Sequence, residues 1–329
     1  MSSVAVTGSE GFIASHLVEL LVREGYEVRA MVQYNSFASW GWLEKVDAEV
    51  LDHVEVVLGD VRDARSVMDF ATGVDTICHL AALIAIPYSY QAPSSYLATN
   101  AAGTLNVLEA ARALGTTRVV HTSTSEVYGT ALAVPINESH PLQAQSPYAA
   151  SKIAADKLAE SYHLSFGLPV TTIRPFNTYG PRQSARAVIP TTISQVAAGK
   201  TEISLGALSP TRDFTFVTDT VAAFLALVES DDDVVGRTFN SGSGTEISIG
   251  DLVRLIASVM EREVTVSIDE QRIRPADSEV QRLVCDSSAL QATTSWKPQL
   301  TLEEGLRITA RWFCEPANLA SYRTDSYVV

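Results

Sequence analysis

The stretch Val4-Ala-Val6-Thr7-Gly8-Ser9-Glu10-Gly11-Phe12-Ile13-Ala14 decides the fold. A short apolar run, Val4 to Val6, stops at a glycine turn. Beyond the turn Leu17, Leu20, Leu21 and Val22 recur at helical spacing, and Gly25 closes that helix. Tyr26 to Val32 returns to a strand pattern. Strand, glycine turn, helix and strand make a βαβ unit. Glycine lets a backbone approach a diphosphate, and the helix that follows offers its free N–H groups and the positive end of its dipole. The spacing Gly8-x-x-Gly11-x-x-Ala14 is weak evidence alone. Its position between a first strand and a helix makes it a dinucleotide site.

Outward from this unit the alternation continues. Val54–Leu58, Thr76–Leu80, Arg118–His121 and Val170–Arg174 read as strands. Asn100–Leu114, Tyr148–Phe166, Val217–Val228 and Asp251–Met260 read as helices. The pattern predicts an α/β chain: a Rossmann-type, doubly wound parallel sheet with a smaller C-terminal substrate-binding domain. Residues 1–174 with about 214–240 form the dinucleotide-binding unit of that reading; about 175–213 with 241–329 form the substrate-binding unit.

Composition narrows the class. The 329 residues carry 24 Lys+Arg against 38 Asp+Glu, a formal −14, which excludes a general nucleic-acid surface. Three scattered cysteines, Cys78, Cys285 and Cys314, supply neither a disulfide framework nor a metal site, and they suit a reducing, cytoplasmic setting. No apolar run approaches about 18 residues, so no membrane span is expected. The charge is uneven. Residues 171–215 hold Arg174, Arg182, Arg186, Lys200 and Arg212 against Glu202 and Asp213, a local +3. A second basic group follows at Arg272, Arg274 and Arg282.

Three polar positions follow strands, where ligands of such sheets sit. After the second strand, Val32-Gln33-Tyr34-Asn35-Ser36 contains neither Asp nor Arg, so charge there does not select NAD or NADP; the absence of Arg disfavours a 2′-phosphate. Asp60 follows the third strand and suits an adenine amine. Thr122-Ser123-Thr124-Ser125-Glu126 follows a central strand and gathers hydroxyls around one carboxylate. Further on, Tyr148-Ala-Ala-Ser-Lys152 puts a phenol and an ammonium on one helix face. A cation beside a phenol favours phenolate, so the Tyr148 pKa is expected to fall and make a general base for hydride transfer.

Taken in order, the Gly8-x-x-Gly11-x-x-Ala14 turn, Thr124-Ser125-Glu126 and Tyr148-x-x-x-Lys152 resemble the extended short-chain dehydrogenases/reductases, which modify nucleotide-activated sugars with tightly held NAD(P). The resemblance extends to His79-Leu-Ala-Ala82, Arg174-Pro-Phe-Asn177-Thr-Tyr-Gly-Pro-Arg182 and Arg212-Asp-Phe. The stretches Tyr34–Trp42, Ala81–Tyr90 and Gln183–Pro190 look like the legionaminic-acid-pathway type of NAD-dependent nucleotide-sugar 4,6-dehydratase. That type acts on nucleotide-linked N-acetylglucosamine; UDP or GDP is the nucleotide expected for this chain, and the sequence does not decide among UDP, GDP and dTDP.

The resemblance implies roles. Tyr148 takes the C4 hydroxyl proton, Lys152 lowers the Tyr148 pKa and holds the nicotinamide ribose, and Thr124 bonds the C4 oxygen. Glu126 removes the C5 proton. Glucose-type dehydratases carry Asp where this chain has Ser125, whereas mannose-type ones share Thr-Ser-Glu; Glu126 is left to serve both elimination steps. The implied cofactor is NAD, with NADP left open. Its pocket comprises Gly8, Gly11, Phe12, Ile13 and Ala14, then Tyr34, Asn35 and Ser36 at the ribose. Asp60 and Val61 follow, then Leu80, Ala81 and Ala82, with Thr122 and Pro175 beside Tyr148 and Lys152. Asn177 and Arg212 would contact the substrate diphosphate, with Arg274 and Arg186 completing a clamp; Tyr88, Thr124 and Val188 are the other substrate-binding positions. A homodimer is expected, and no metal. Three alternatives stand beside the dehydratase: a UDP-glucuronate decarboxylase, a C4 epimerase in which Glu126 is idle, and a non-catalytic nucleotide sensor on the same fold.

Overall fold

The computed structural model describes residues 2–273 and 275–323. The first six strands are β1 (Ser3–Thr7), β2 (Glu27–Gln33), β3 (Val54–Gly59), β4 (Thr76–His79), β5 (Arg118–Thr122) and β6 (Val170–Pro175). With the later strand Thr238–Ser241 they form one parallel sheet, in the order Thr238–Ser241, β6, β5, β4, β1, β2, β3. Strand order reverses between β1 and β4, which opens the crevice where such sheets take ligands.

Alternation along the strands makes both faces apolar. Val4, Val6, Cys78 and Val120 pack into one layer with the helix α1 (Phe12–Arg23) and the helix Val217–Glu229. Ala5, Ile77 and Val119 point the other way, against the helices Ala64–Ala71, Gly103–Leu114 and Pro147–Phe166. Expected strand and helix limits hold to within about two residues, except at Asn100. There a π-helical turn, Leu97–Ala102, precedes the regular helix. The turn aims the Asn100 side chain inward. Its Oδ1 accepts the Leu83 amide at 2.8 Å, and its Nδ2 donates to Leu83 O and Ser151 Oγ, both at 2.9 Å. Asn100 thereby fastens the loop after β4 to the helix that carries Tyr148.

After β6 the chain builds a second layer of structure beyond the strand ends. The helices Val188–Ala197, Ile249–Val259 and Leu302–Cys314 pack on one another, beside three two-stranded ladders. The chain rejoins the large sheet through the helix Val217–Glu229 and the strand Thr238–Ser241. Among the described residues no helix is long and apolar enough to cross a membrane.

Candidate active site

The carboxyl ends of the strands open into a cavity of about 920 Å³ that runs from the glycine turn to the residues after β6. At one end Gly8 has φ +72°, and a Cβ there would stand 2.8 Å from the Ala81 backbone. Only glycine fits. Gly11 caps α1 without any side-chain bond, so the first N–H groups of that helix stay available. Thr7 Oγ1 accepts the Leu80 and Ala81 amides, both at 3.1 Å, and lies 2.8 Å from His79 Nδ1. These bonds press the chain after β4 against Gly8. The result is a narrow backbone cradle with free donors, which fits the diphosphate of a dinucleotide.

Phe12, Ile13, Ala14, Asp60, Val61, Leu80, Ala82, Thr122 and Pro175 all line the same cavity. Tyr34, Asn35 and Ser36 do not. The chain turns away after Gln33, leaving Tyr34 73% exposed. Asn35 is consumed by its own loop: it donates to Ser39 O at 2.7 Å and accepts the Phe37 and Ser39 amides at 3.2 Å. Glu10 and Gln33 line the cavity instead. Asp60 lies on the wall, yet Arg62 grips it through Nε at 2.9 and 3.0 Å. That ion pair holds the Asp60 carboxyl below its usual range.

Thr124, Ser125, Glu126, Tyr148 and Lys152 all line the cavity. Thr124 caps the short turn Ser125–Tyr128, its Oγ1 accepting the Glu126 amide at 3.2 Å, which positions the Glu126 carboxylate. Ser146 caps the Tyr148 helix, accepting the Ala149 amide at 3.1 Å. Tyr148 is 6% exposed, and Tyr96 meets its ring edge-on at 6.2 Å. The expected fall in the Tyr148 pKa does not appear. Burial raises it, the Thr124 hydroxyl pulls it back, and the nearby Glu126 charge raises it further. The Lys152 ammonium is turned elsewhere, donating to Thr122 O at 2.6 Å, and burial lowers its own pKa from 10.5 to about 8. Both groups are thus pushed toward their neutral forms, and phenolate formation needs a further positive charge.

Asp156, which supports this site from behind and does not line the cavity, was not legible in the sequence. It stands one turn beyond Lys152, on the face that carries Tyr148. Its Oδ2 accepts from Ser123 Oγ at 2.8 Å and from Arg174 Nη2 at 2.9 Å, and its Oδ1 lies 3.1 Å from His121 Nε2. Burial would raise its pKa, but these partners more than offset that and hold it at about 2. The cluster joins the Tyr148 helix to both flanking strands, β5 and β6.

At the far end, Tyr88, Asn177, Arg186, Val188 and Arg212 line the cavity. Asn177 Nδ2 donates to Asp213 O at 3.1 Å. Arg212 is buried and pairs with Glu279 at 3.0 Å, so an incoming diphosphate would share it with a carboxylate. Arg274 lies outside the described residues. The local positive charge is smaller at the site than the count suggests. Arg174 is locked on Asp156, and Arg182 pairs with Glu19 at 2.6 Å. Arg272 faces the cavity and pairs with Asp269, while Arg282 pairs with Glu246.

Known proteins carry the same plan. The GDP-mannose 4,6 dehydratase family model matches residues 5–309. A UDP-glucose 4-epimerase of Mycolicibacterium smegmatis is 34% identical over 320 residues, covering 94% of this chain and 97% of its own. A dTDP-glucose 4,6-dehydratase of the same organism is 32% identical, with 94% and 92% covered. The crystal structure of a dTDP-glucose 4,6-dehydratase from Streptomyces venezuelae, which has NAD bound, superposes with a TM-score of 0.86 at 30% identity, covering 95% of this chain and 97% of its own. With the cradle, the Thr124–Glu126 turn and the Tyr148–Lys152 helix in one cavity, this chain belongs to the GDP-mannose 4,6-dehydratase family, a nucleotide-sugar dehydratase group among the extended short-chain dehydrogenases/reductases.

Proposed function

We propose that this chain is an NAD-dependent 4,6-dehydratase acting on nucleotide-linked N-acetylglucosamine. The observation that carries the reading is Glu126 on the same cavity wall as Tyr148, close enough for its charge to act on the phenol. A carboxylate there is a ready acceptor for a C5 proton. The amides of Gly8 to Ala14 would hold the cofactor diphosphate, Asp60 and Val61 the adenine, and Lys152 the nicotinamide ribose. NAD, when bound, would supply the hydride acceptor for C4, the hydride for C6 and a positive charge in the cavity.

The residues of this chain do the proton work. Tyr148 takes the C4 hydroxyl proton, and Thr124 holds the C4 oxygen. The C4 ketone acidifies the C5 hydrogen, which Glu126 removes as a proton. The C6 hydroxide then leaves with the proton that Glu126 has gained, and Ser125, 2% exposed beside it, offers no acid of its own. One water departs; hydride return to C6 would be matched at C5 by one proton, the equivalent that Tyr148 took from the C4 hydroxyl, and would leave a 4-keto-6-deoxysugar. The substrate diphosphate would lie toward Asn177, Arg186 and Arg212, where a guanidinium suits bidentate binding.

A C4 epimerase is the second reading, favoured by the UDP-glucose 4-epimerase relative at 34% identity. The two separate by product. Incubation with UDP- and GDP-N-acetylglucosamine should yield a product lighter by one water. A product of unchanged mass supports the epimerase; release of carbon dioxide from a nucleotide glucuronate would instead indicate a decarboxylase.

A further inference from the structure

We propose that Glu10, from the glycine turn, sets this chain's preference for NAD over NADP, doing the work that an acidic residue at the end of the second strand does in other dinucleotide sites. The inference rests on the dinucleotide reading of the cavity. The ribose nearest the adenine is usually read at the carboxyl end of β2, about twenty residues past the glycine turn. In this chain that position is Gln33, which bears no charge.

The fold brings a carboxylate there from another segment. Glu10 Oε1 accepts the backbone amide of Gln33 at 3.3 Å, and both residues line the cavity. Its second oxygen, Oε2, is enclosed and has no hydrogen-bond partner among the described residues. A buried carboxylate oxygen without a donor is costly and asks for one. The backbone that carries this side chain is also held in place. The Trp42 amide donates to Glu10 O at 3.0 Å, and Gly41, at φ +59°, packs so closely that a Cβ would meet Glu10 O at 2.7 Å. The tight turn and the Gln33 amide fix where the carboxyl group sits; burial raises its pKa, and the amide hydrogen bonds of Glu10 and Gln33 oppose that rise.

The neighbouring charges point the same way. Asp60 lines this end too, and the cation beside it, Arg62, is gripped by Asp60 at 2.5 Å. Two carboxylates thus face one occupied guanidinium. A ribose diol brings hydrogen-bond donors to such a wall. A 2′-phosphate brings only acceptors and negative charge, which the wall repels.

Isothermal titration of NAD and NADP into the purified protein tests this without any turnover. The wild type should bind NAD at least about 100-fold more tightly than NADP. Glu10→Gln, which keeps shape and removes charge, should narrow that ratio by about tenfold. Gln33→Asp added to Glu10→Gln should restore it, by placing a carboxylate at the ordinary position. Glu10→Ala must shift the ratio in the same direction as Glu10→Gln, so the test survives if one variant folds poorly. Equal affinities in the wild type, or a ratio unmoved by both substitutions, would overturn the assignment while leaving the dinucleotide site intact. Binding of neither dinucleotide would overturn the dinucleotide reading, and this assignment with it.

Discussion

Lys152 Nζ donates to the carbonyl oxygen of Thr122 at 2.6 Å, tying the helix of Tyr148 to the last residue of β5. That bond fixes the ammonium between the two segments that supply the reacting groups. It also buries the charge, which lowers the Lys152 pKa from 10.5 to about 8.

The first prediction follows from that shift. In the proposed reading the charged ammonium holds the nicotinamide ribose, so kcat/KM should fall as pH rises through about 8. Lys152→Met should remove this limb of the pH profile and cost about 100-fold or more in kcat. Stability moves in the opposite sense. Between about pH 8 and 10.5 the unfolded chain holds this proton and the folded chain does not, so the contribution of Lys152 to stability rises with pH over that window. Urea denaturation of wild type and Lys152→Met at both ends of the window checks the sign.

Asp156 should be structural first and kinetic second. Its pKa of about 2 lies below the ordinary 3.8, so the stability it contributes is present above 3.8 and is lost as pH falls toward 2. The shift corresponds to roughly 2 kcal/mol. Asp156→Asn leaves the buried Arg174 without its counter-charge, and the expected cost is about 3–5 kcal/mol. Chemical denaturation at neutral pH measures it; a loss below about 1 kcal/mol would refute the cluster's role.

Glu126→Gln separates oxidation from elimination. The C4 hydride can still leave, so transient NADH absorbance should persist on mixing with substrate. Dehydrated product should drop by about 100-fold or more, because the C5 proton has no acceptor. Retention of full turnover would favour the epimerase reading.

Gly8→Ala tests the cradle. The left-handed backbone costs an alanine about 1–2 kcal/mol, before its Cβ meets Ala81 at 2.8 Å. NAD affinity should fall at least about tenfold, read by titration, and the melting temperature should fall with it.

The sheet was legible because each strand is a short apolar run between polar turns, and because the glycine turn marks where winding begins. Thr124, Glu126, Tyr148 and Lys152 were legible because each pair lies close in sequence. Asp156 was not, although it lies on the same helix: its meaning depends on His121 and Arg174, which arrive from two other strands. Glu10 escaped for the same reason, since only the pairing of β1 with β2 brings it to Gln33. Charge counting misled at Arg174 and Arg182, whose partners Asp156 and Glu19 lie far away in sequence. The expectation for Tyr148 failed because helical spacing put Lys152 on the right face but could not show its ammonium reaching Thr122. The helices Val188–Ala197 and Leu302–Cys314 were not read at all. The first carries Thr191, Thr192, Ser194 and Gln195 among its buried residues, which blurs any apolar stripe.

Mass spectrometry of the nucleotide-sugar product tests the central claim most directly. Purified protein incubated with UDP- and GDP-N-acetylglucosamine should convert one of them to a species lighter by one water, with no net consumption of NAD. Complete turnover to a product of unchanged mass would contradict it.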